Sequence, residues 1–215
     1  MQKIKAVIFD LDGTLADTIP LCITCFRQSV EPFVQRPLSD DEIVAALGPD
    51  ELGTIRKFTT ENDSKAFDHF MQLYTSLHNE YAKLFNGIPQ LLTTLKEKGI
   101  RLALATGKGK AACDFSLDKL GLSSMFEIIE TGSPKGSRKK EAIAQILQSF
   151  QSIDKTQTLY LGDSAGDIKE SYAAGIRPVA AAWAATAKKD ELEKEKPEKL
   201  FDTVSSFAKW IEANI

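Results

Sequence analysis

Segments with helical character alternate with short apolar segments from residue 87 to residue 182, and this alternation limits the possible folds more than any other feature. Glycine ends several of the helical segments, as expected of a residue that readily adopts the left-handed conformation. The predicted helices cover residues 89–98, 110–120, 139–150 and 167–174, and the predicted strands cover residues 101–106, 126–130, 158–161 and 178–182, the last of the core. This alternation predicts an α/β fold with a doubly wound parallel sheet.

A further strand is predicted near the start of the chain, where residues 6–9 read Ala-Val-Ile-Phe. Its continuous apolar character is typical of a strand that is buried on both faces. Asp10 and Asp12 follow it directly, and residues two apart at a strand end point the same way. Two neighbouring carboxylates are costly unless a cation lies between them or one carboxylate binds a proton. The pair therefore indicates a functional site.

The region between this strand and the alternating segments shows helical periodicity and no predicted strand. The predicted helices include residues 21–33, 39–47, 50–58 and 63–84, and the second opens with a capping box, Ser39-Asp-Asp-Glu42. We therefore predict two units: a Rossmann-like core formed by residues 1–15 and 86–215, and an all-helical insert formed by residues 16–85. Residues 16–18 and 85–87 are the expected hinges between them.

Composition narrows the classes of partner. The chain has 215 residues, 43% of them hydrophobic and 27% charged, and its formal net charge is −3. This charge is too close to neutral to suggest binding to nucleic acid or to a membrane surface. No apolar run approaches the length of a membrane span, and three cysteines do not form a disulfide framework. We expect a cytoplasmic monomer or homodimer with neither nucleic acid nor membrane as partner.

Four short segments directly follow predicted strands, at the edge where parallel sheets place their functional sites. Their polar residues are Asp10, Asp12, Thr106, the lysines of residues 132–140, Asp163 and Asp167. Carboxylates without histidine or cysteine suit Mg²⁺, which commonly binds through few carboxylates and a phosphate. Lysine, hydroxyl and backbone amide groups suit the other phosphoryl oxygens, and an aspartate can accept a phosphoryl group as a nucleophile.

Taken together and in this order, the four segments resemble the four motifs of the haloacid dehalogenase-like hydrolase superfamily. The resemblance spans nearly the whole chain, and the insert is similar to that family's helical cap of the first type, as in phosphoglycolate-phosphatase-like members. It implies that Asp10 is the nucleophile and that Asp12 protonates the leaving group and later activates water. It also implies that Thr106, with Gly107, binds the phosphoryl group.

The same resemblance implies a Mg²⁺ site and a catalytic lysine. Asp10, Asp163 and the backbone carbonyl of Asp12 would bind the metal, and Asp167 would support it. Lys135, Lys139 and Lys140 all lie in the lysine-containing segment. Similar family members carry the lysine at a helix start before a Glu-apolar-Ile pattern, which favours Lys139, although Lys140 and Lys135 remain alternatives. This lysine would offset repulsion between Asp10 and the substrate phosphate.

The resulting hypothesis is a Mg²⁺-dependent phosphatase that hydrolyses a small phosphorylated metabolite through an aspartyl-phosphate. A phosphomutase on the same core is one alternative, and a phospho-accepting signalling module is another. Asp12 argues against the dehalogenase branch, which needs no leaving-group acid at that position. The insert is expected to govern specificity, with residues 47–50 as a candidate substrate-facing loop.

Two other patterns resemble functional motifs, but neither is interpreted as one. Gly107-x-Gly109-x-x-Ala112, with Glu130 further on, has the outline of a dinucleotide-binding fingerprint. This interpretation assigns no role to Asp10, Asp12, Asp163 and Asp167, and the pattern begins on the second strand of the core and not on the first. We therefore reject it. Cys22-x-x-Cys25 lies among apolar residues without a second ligand pair, and we expect it to pack in a helical core.

Overall fold

The computed structural model describes residues 3–215. Its strands are β1 (Ala6–Phe9), β2 (Ala16–Asp17), β3 (Lys83–Leu84), β4 (Arg101–Ala105), β5 (Ile128–Glu130), β6 (Thr158–Gly162), β7 (Arg177–Ala181) and β8 (Lys199–Phe201). Its helices are α1 (Ile19–Val34), α2 (Asp40–Ala46), α3 (Glu51–Arg56), α4 (Asp63–Tyr81), α5 (Ile88–Glu97), α6 (Lys110–Lys119), α7 (Lys139–Ser149), α8 (Ala165–Ala174), α9 (Lys189–Lys194) and α10 (Val204–Glu212). Residues 1 and 2, which the predicted core includes, lie outside the described residues.

Six strands form one parallel sheet in the order β5-β4-β1-β6-β7-β8. The first strand in sequence is therefore central, with β4 and β6 as its two neighbours. At its carboxyl end, Phe9 pairs with Leu104 of β4 and Leu161 of β6. This arrangement confirms the predicted α/β fold with a parallel sheet.

Apolar side chains cover both faces of the sheet. On one face, Val7 and Phe9 belong to a buried cluster with residues of α5, α6 and α10. On the other face, Ala6 and Ile8 pack in a cluster that includes Ile143 of α7. Because alternate residues of a strand point to opposite faces, an apolar run can supply both clusters. This explains why β1 has no polar residue before Asp10.

Helices α1 to α4 form the helical insert, defined here as residues 19–81, which has an apolar core of its own. Phe26 of α1 packs on Phe70 of α4 with ring centroids 4.5 Å apart. Cys22 and Cys25 are buried in this cluster as free thiols, in agreement with the predicted packing role. Within residues 3–215, no helix combines the length and apolar character needed to cross a membrane.

Some sequence-based predictions are wrong. The region 16–84 is not free of strands, because β2 and β3 form an antiparallel pair; two-residue strands are too short to show a period-two pattern. Strand 178–182 is not the last of the core, because β8 follows it. The predicted start of α8 is also wrong, because this helix begins at Ala165 and not at residue 167, with Ser164 as its N-cap.

Candidate active site

The three central strands of the sheet deliver three of the predicted site residues to one edge. Asp10 directly follows β1, Thr106 directly follows β4, and Asp163 directly follows β6. Since these strands are neighbours and parallel, their carboxyl ends lie side by side. Lys139 reaches the same edge from the first residue of α7. The predicted site residues therefore meet because of the strand order.

Three aspartates form a compact carboxylate cluster at this edge. Asp10, Asp163 and Asp167 each place one oxygen within 4.8 Å of the others. The Oδ1 atom of Asp10 is buried and has no hydrogen-bond partner within residues 3–215. A buried oxygen without a partner, beside two further carboxylates, suits a hard divalent cation. The cluster therefore fits Mg²⁺, although Asp12 contributes no side-chain oxygen to it.

Among the three candidate lysines, Lys139 has its ammonium in the carboxylate cluster. Its Nζ lies 2.8 Å from Oδ2 of Asp10 and also contacts Oδ1 of Asp167. Lys135 and Lys140 are exposed. Burial alone would lower the pKa of Lys139, but the two carboxylates more than offset this and raise it well above its ordinary value. Lys139 is thus positively charged at neutral pH.

Burial also raises the pKa values of two carboxyl groups in the cluster, Asp10 and Asp163. It is the largest cause that raises the pKa of Asp10 to about 6, while the nearby Lys139 ammonium opposes this change. Burial likewise raises the pKa of Asp163 well above its usual range, and the neighbouring Asp167 and Asp10 carboxylates add to the effect. A nearby cation would stabilise the ionised forms of these carboxyl groups and so lower their raised pKa values.

Asp167 is held in place by the start of α8. Its Oδ2 accepts hydrogen bonds from the backbone N–H of Ser164 at 3.0 Å and from the Ser164 hydroxyl at 2.7 Å. The Ser164 hydroxyl in turn accepts from the backbone N–H of Asp167, which completes a capping box. The hydroxyl of Tyr160 lies 3.3 Å from the other oxygen of Asp167. The carboxylate therefore has a fixed orientation beside Lys139.

Asp12 faces a different group of side chains from Asp10. Its Oδ1 accepts a hydrogen bond from the hydroxyl of Thr18 and lies 3.3 Å from Nζ of Lys108. Asp10 instead contacts Lys139. The two carboxylates line the same cavity, but they contact different lysines.

Thr106 and the turn after β1 complete this edge. Thr106 is buried, and its Oγ1 accepts a hydrogen bond from the backbone N–H of Lys108 at 3.2 Å. Gly13 has a φ of +75° and lies against Asp163, where a Cβ atom would come within 2.1 Å of Oδ2. Only glycine allows both this left-handed conformation and this close approach. The turn therefore depends on Gly13.

A cavity of about 620 Å³ lies above the carboxyl edge, between the sheet and the helical insert. Every predicted site residue lines it: Asp10, Asp12, Thr106, Gly107, Lys139, Asp163 and Asp167. The insert contributes mainly apolar residues, including Phe26, Val44 and Leu47, and the predicted loop contributes Leu47, Gly48 and Pro49. The cavity thus has a polar floor on the core and a largely apolar wall on the insert.

The charged residues of this cavity that the sequence-based prediction did not include are Glu51, Lys108, Glu170, Lys188 and Glu191. Lys108 follows Thr106 by two residues at the end of β4, so its position at the edge was a usable signal. Glu51 lies on α3 of the insert and pairs with Lys108 at 3.7 Å. No local pattern indicates this pairing, because it depends on how the insert packs against the core.

Comparison with known proteins identifies a family and several relatives of this chain. The family described as haloacid dehalogenase-like hydrolase matches residues 7–181. The chain is 26% identical over 209 residues to pyrophosphatase PpaX of Bacillus pumilus, covering 95% of this chain and 94% of that protein. It is also 30% identical over 183 residues to tyrosine-protein kinase PtkA of Mycobacterium tuberculosis, covering 83% of this chain and 62% of that protein.

Solved structures show the same fold. A predicted phosphoglycolate phosphatase from Haemophilus somnus superposes with a TM-score of 0.82 at 20% identity, covering 98% of this chain and 99% of that chain. A predicted phosphatase from Clostridium acetobutylicum gives the same TM-score at 22% identity, covering 99% of this chain and 100% of that chain. The family match extends over most of the sequence and includes the strands that carry Asp10, Thr106 and Asp163. The chain therefore belongs to the haloacid dehalogenase-like hydrolase family.

Proposed function

We propose that this protein is a Mg²⁺-dependent phosphatase that hydrolyses a small phosphorylated metabolite through an aspartyl-phosphate on Asp10. The observation that carries the proposal is the carboxylate cluster of Asp10, Asp163 and Asp167 with the Lys139 ammonium inside it. An anionic nucleophile repels an anionic phosphate, so a buried cation beside it is needed for attack. The names of the PpaX and phosphoglycolate phosphatase relatives support the same class of reaction.

In this proposal Asp10 attacks the phosphorus atom, and the bond to the leaving-group oxygen breaks. Asp12 gives its proton to that oxygen and later removes a proton from the water that hydrolyses the intermediate. Thr106 and the backbone of Gly107 bind phosphoryl oxygens, since both line the cavity beside Asp10. Lys139 offsets the negative charge of Asp10 and the phosphate. The placement of Asp10 and Asp12 in separate surroundings supports this division of roles.

The residues present fit a magnesium ion. Asp10 and Asp163 would hold it with the backbone carbonyl of Asp12, and Asp167 would support it. Carboxylate oxygens without histidine or cysteine form the donor set that Mg²⁺ prefers. When bound, the ion would supply positive charge against the phosphoryl oxygens. The unpartnered Oδ1 of Asp10 supports this assignment.

We propose that residues 16–85 act as a cap over a core formed by residues 1–15 and 86–215. The insert touches the core at several polar contacts, among them Tyr74 with Ser116 at 2.8 Å and the backbone of Asp50 with Ser133 at 3.1 Å. Its apolar wall over the cavity would exclude water during phosphoryl transfer and contact the rest of the substrate. The free cysteines support a reducing, cytoplasmic location.

The first experiment measures hydrolysis of p-nitrophenyl phosphate with Mg²⁺ and with a chelator. Activity should require Mg²⁺, and Asp10→Asn should lower kcat by more than about a thousandfold, because the variant lacks the nucleophile. Asp118→Asn on the exposed face of α6 is the matched control and should keep full activity. Substantial activity of folded Asp10→Asn protein would contradict the proposal.

A second experiment addresses the substrate and the alternative reactions. A screen of phosphorylated metabolites should begin with pyrophosphate and 2-phosphoglycolate, because relatives carry the corresponding names. Release of inorganic phosphate with repeated turnover would identify a phosphatase. Isomerisation of a sugar phosphate without phosphate release would identify a phosphomutase, and one phosphoryl group retained per chain would identify a signalling module.

A further inference from the structure

The ammonium group of Lys108 is enclosed mainly by the helical insert, although Lys108 itself belongs to the core. The Lys108 side chain is 1% exposed. From the insert, Glu51 lies 3.7 Å from its Nζ, Cys22 lies 3.7 Å away, and the ring centroid of Tyr74 lies 4.4 Å away. From the core, Asp12 lies 3.3 Å away. This lysine therefore has its complete surroundings only when the insert is seated on the core.

Glu51 fixes the other side of this ion pair. It is 6% exposed, and its Oε2 accepts a hydrogen bond from the backbone N–H of Gly109 at 2.9 Å. A Cβ atom on Gly109 would lie 2.5 Å from the same oxygen, so the absence of a side chain there allows the contact. A buried carboxylate is stable only with partners of this kind. Glu51 thus joins helix α3 to the turn after β4.

The ion pairs continue from Glu51 through Lys108 to Asp12. Among residues 3–215, the Asp12 carboxylate has one hydroxyl partner, Thr18, and one cationic partner, Lys108, and neither belongs to the carboxylate cluster around Asp10. Removing Glu51 leaves the Lys108 ammonium with Asp12 as its remaining carboxylate partner among the described residues. The location of that ammonium, and with it the direction of the Asp12 carboxylate, then loses its ionic support from the insert, and only Cys22 and Tyr74 of the described insert residues named above still enclose it.

We propose that Glu51 and Lys108 are positioning residues that direct the Asp12 carboxylate toward the leaving group when the helical insert is seated on the core. This inference rests on the proposed function, in which Asp12 transfers the proton to the leaving group. Its consequence is that proton transfer is efficient only while the insert encloses the substrate. The insert then contributes to the reaction chemistry as well as to the shape of the cavity.

The test compares two substrates of similar size, p-nitrophenyl phosphate and phenyl phosphate. The first has a good leaving group that needs little protonation, whereas the second depends on the general acid. In Glu51→Gln, kcat/KM for phenyl phosphate should fall about tenfold or more, while that for p-nitrophenyl phosphate should change less than about threefold, since a general acid contributes about a hundredfold or more. Lys108→Met should show the same selectivity, and adding Glu51→Gln to it should cause no further loss.

Asp41→Asn is the matched control, because it removes another ion pair between insert and core, with Lys188 at 4.0 Å, without contacting Asp12. In this variant, kcat/KM should change little, and by the same factor for both substrates. The proposal would be overturned if Glu51→Gln lowered kcat/KM by the same factor for both substrates. It would also be overturned if the losses of Glu51→Gln and Lys108→Met multiplied in the double variant. Glu51→Gln keeps the size and an acceptor for Gly109, so it still gives a result if Lys108→Met fails to fold.

Asp12→Ala and Asp10→Asn, measured beside these variants, separate this proposal from the proposed function. If Asp10→Asn stays active, the proposed function fails. If Asp12→Ala lowers kcat/KM, which reports the steps up to departure of the leaving group, equally for both substrates, the acid assignment fails and this inference fails with it. If Asp12→Ala is selective for phenyl phosphate but Glu51→Gln is not, only the positioning role is refuted.

Discussion

Replacing Lys139 with methionine tests whether the carboxylate cluster depends on a buried cation. The Lys139 side chain is 13% exposed, and its partners Asp10 and Asp167 are 9% and 1% exposed. Removing one partner of a buried ion pair costs about 3–5 kcal/mol, because the remaining charge stays buried without compensation. Carboxyl groups can partly avoid this cost by binding protons, so we expect a loss of about 3 kcal/mol at pH 8.

The pH dependence of this loss has a definite sign. The pKa of Asp10 is already raised to about 6, and removing the Lys139 ammonium raises it further. A carboxyl group with a raised folded-state pKa binds its proton more tightly in the folded protein than in the unfolded protein. The variant therefore gains stability as the pH falls toward and below 6, and its deficit relative to the wild type should be smaller at pH 5.5 than at pH 8.

The measurement is urea unfolding followed by circular dichroism, with a chelator present. Lys140→Met is the matched control: it alters an exposed lysine in the same turn of α7 and should stay within about 0.5 kcal/mol of the wild type. A Lys139→Met protein within about 1 kcal/mol of the wild type at pH 8 would refute the reasoning. So would a deficit that does not shrink at pH 5.5.

Two further predictions concern a buried histidine and a tight turn. Burial is the largest cause that lowers the pKa of His78, followed by the Lys108 charge, so protonation below about pH 6.5 favours the unfolded state. The stability of His78→Phe relative to the wild type should increase as pH falls from 7.5 to 5.5, by up to about 1.4 kcal/mol per unit; a constant difference in urea unfolding would contradict this. Gly13→Ala should displace Asp163, so it should weaken stabilisation by Mg²⁺ in thermal melts and abolish hydrolysis of p-nitrophenyl phosphate. Unchanged Mg²⁺ stabilisation would show that the Asp163 carboxylate has not moved.

The parallel α/β fold could be predicted because most of its helices and strands have a recognisable hydrophobic pattern in the sequence. Helices of normal length show clear periodicity, buried strands show short continuous apolar runs, and the strand order places the ends of β1, β4 and β6 together. The missed strands β2 and β3 have two residues each. Strand β8 begins with Lys199 inside a charged run, so its apolar residues Leu200 and Phe201 form too short a segment to be recognised.

In the candidate site, too, residues with a local sequence signal could be predicted, and residues placed by long-range packing could not. Asp10, Thr106 and Asp163 could be placed together because each directly follows a strand. The choice among Lys135, Lys139 and Lys140 needed the orientation of α7, which sequence spacing only suggested. Glu51 could not be assigned because its partners Lys108 and Gly109 belong to the core, far along the chain. The catalytic roles of these residues stay predictions until the variants are measured.

The strand pair β2–β3 has a consequence for how this architecture can vary. Ala16 pairs with Leu84 and Asp17 pairs with Lys83, so the chain leaves the core and returns to it at adjacent positions. Phe85 then donates its backbone N–H to the carbonyl of Leu15, which continues the connection into the core. For the six-stranded sheet, the whole insert is equivalent to one long hairpin loop. Its length and sequence can therefore change during evolution, or be exchanged by design, without any change in strand order.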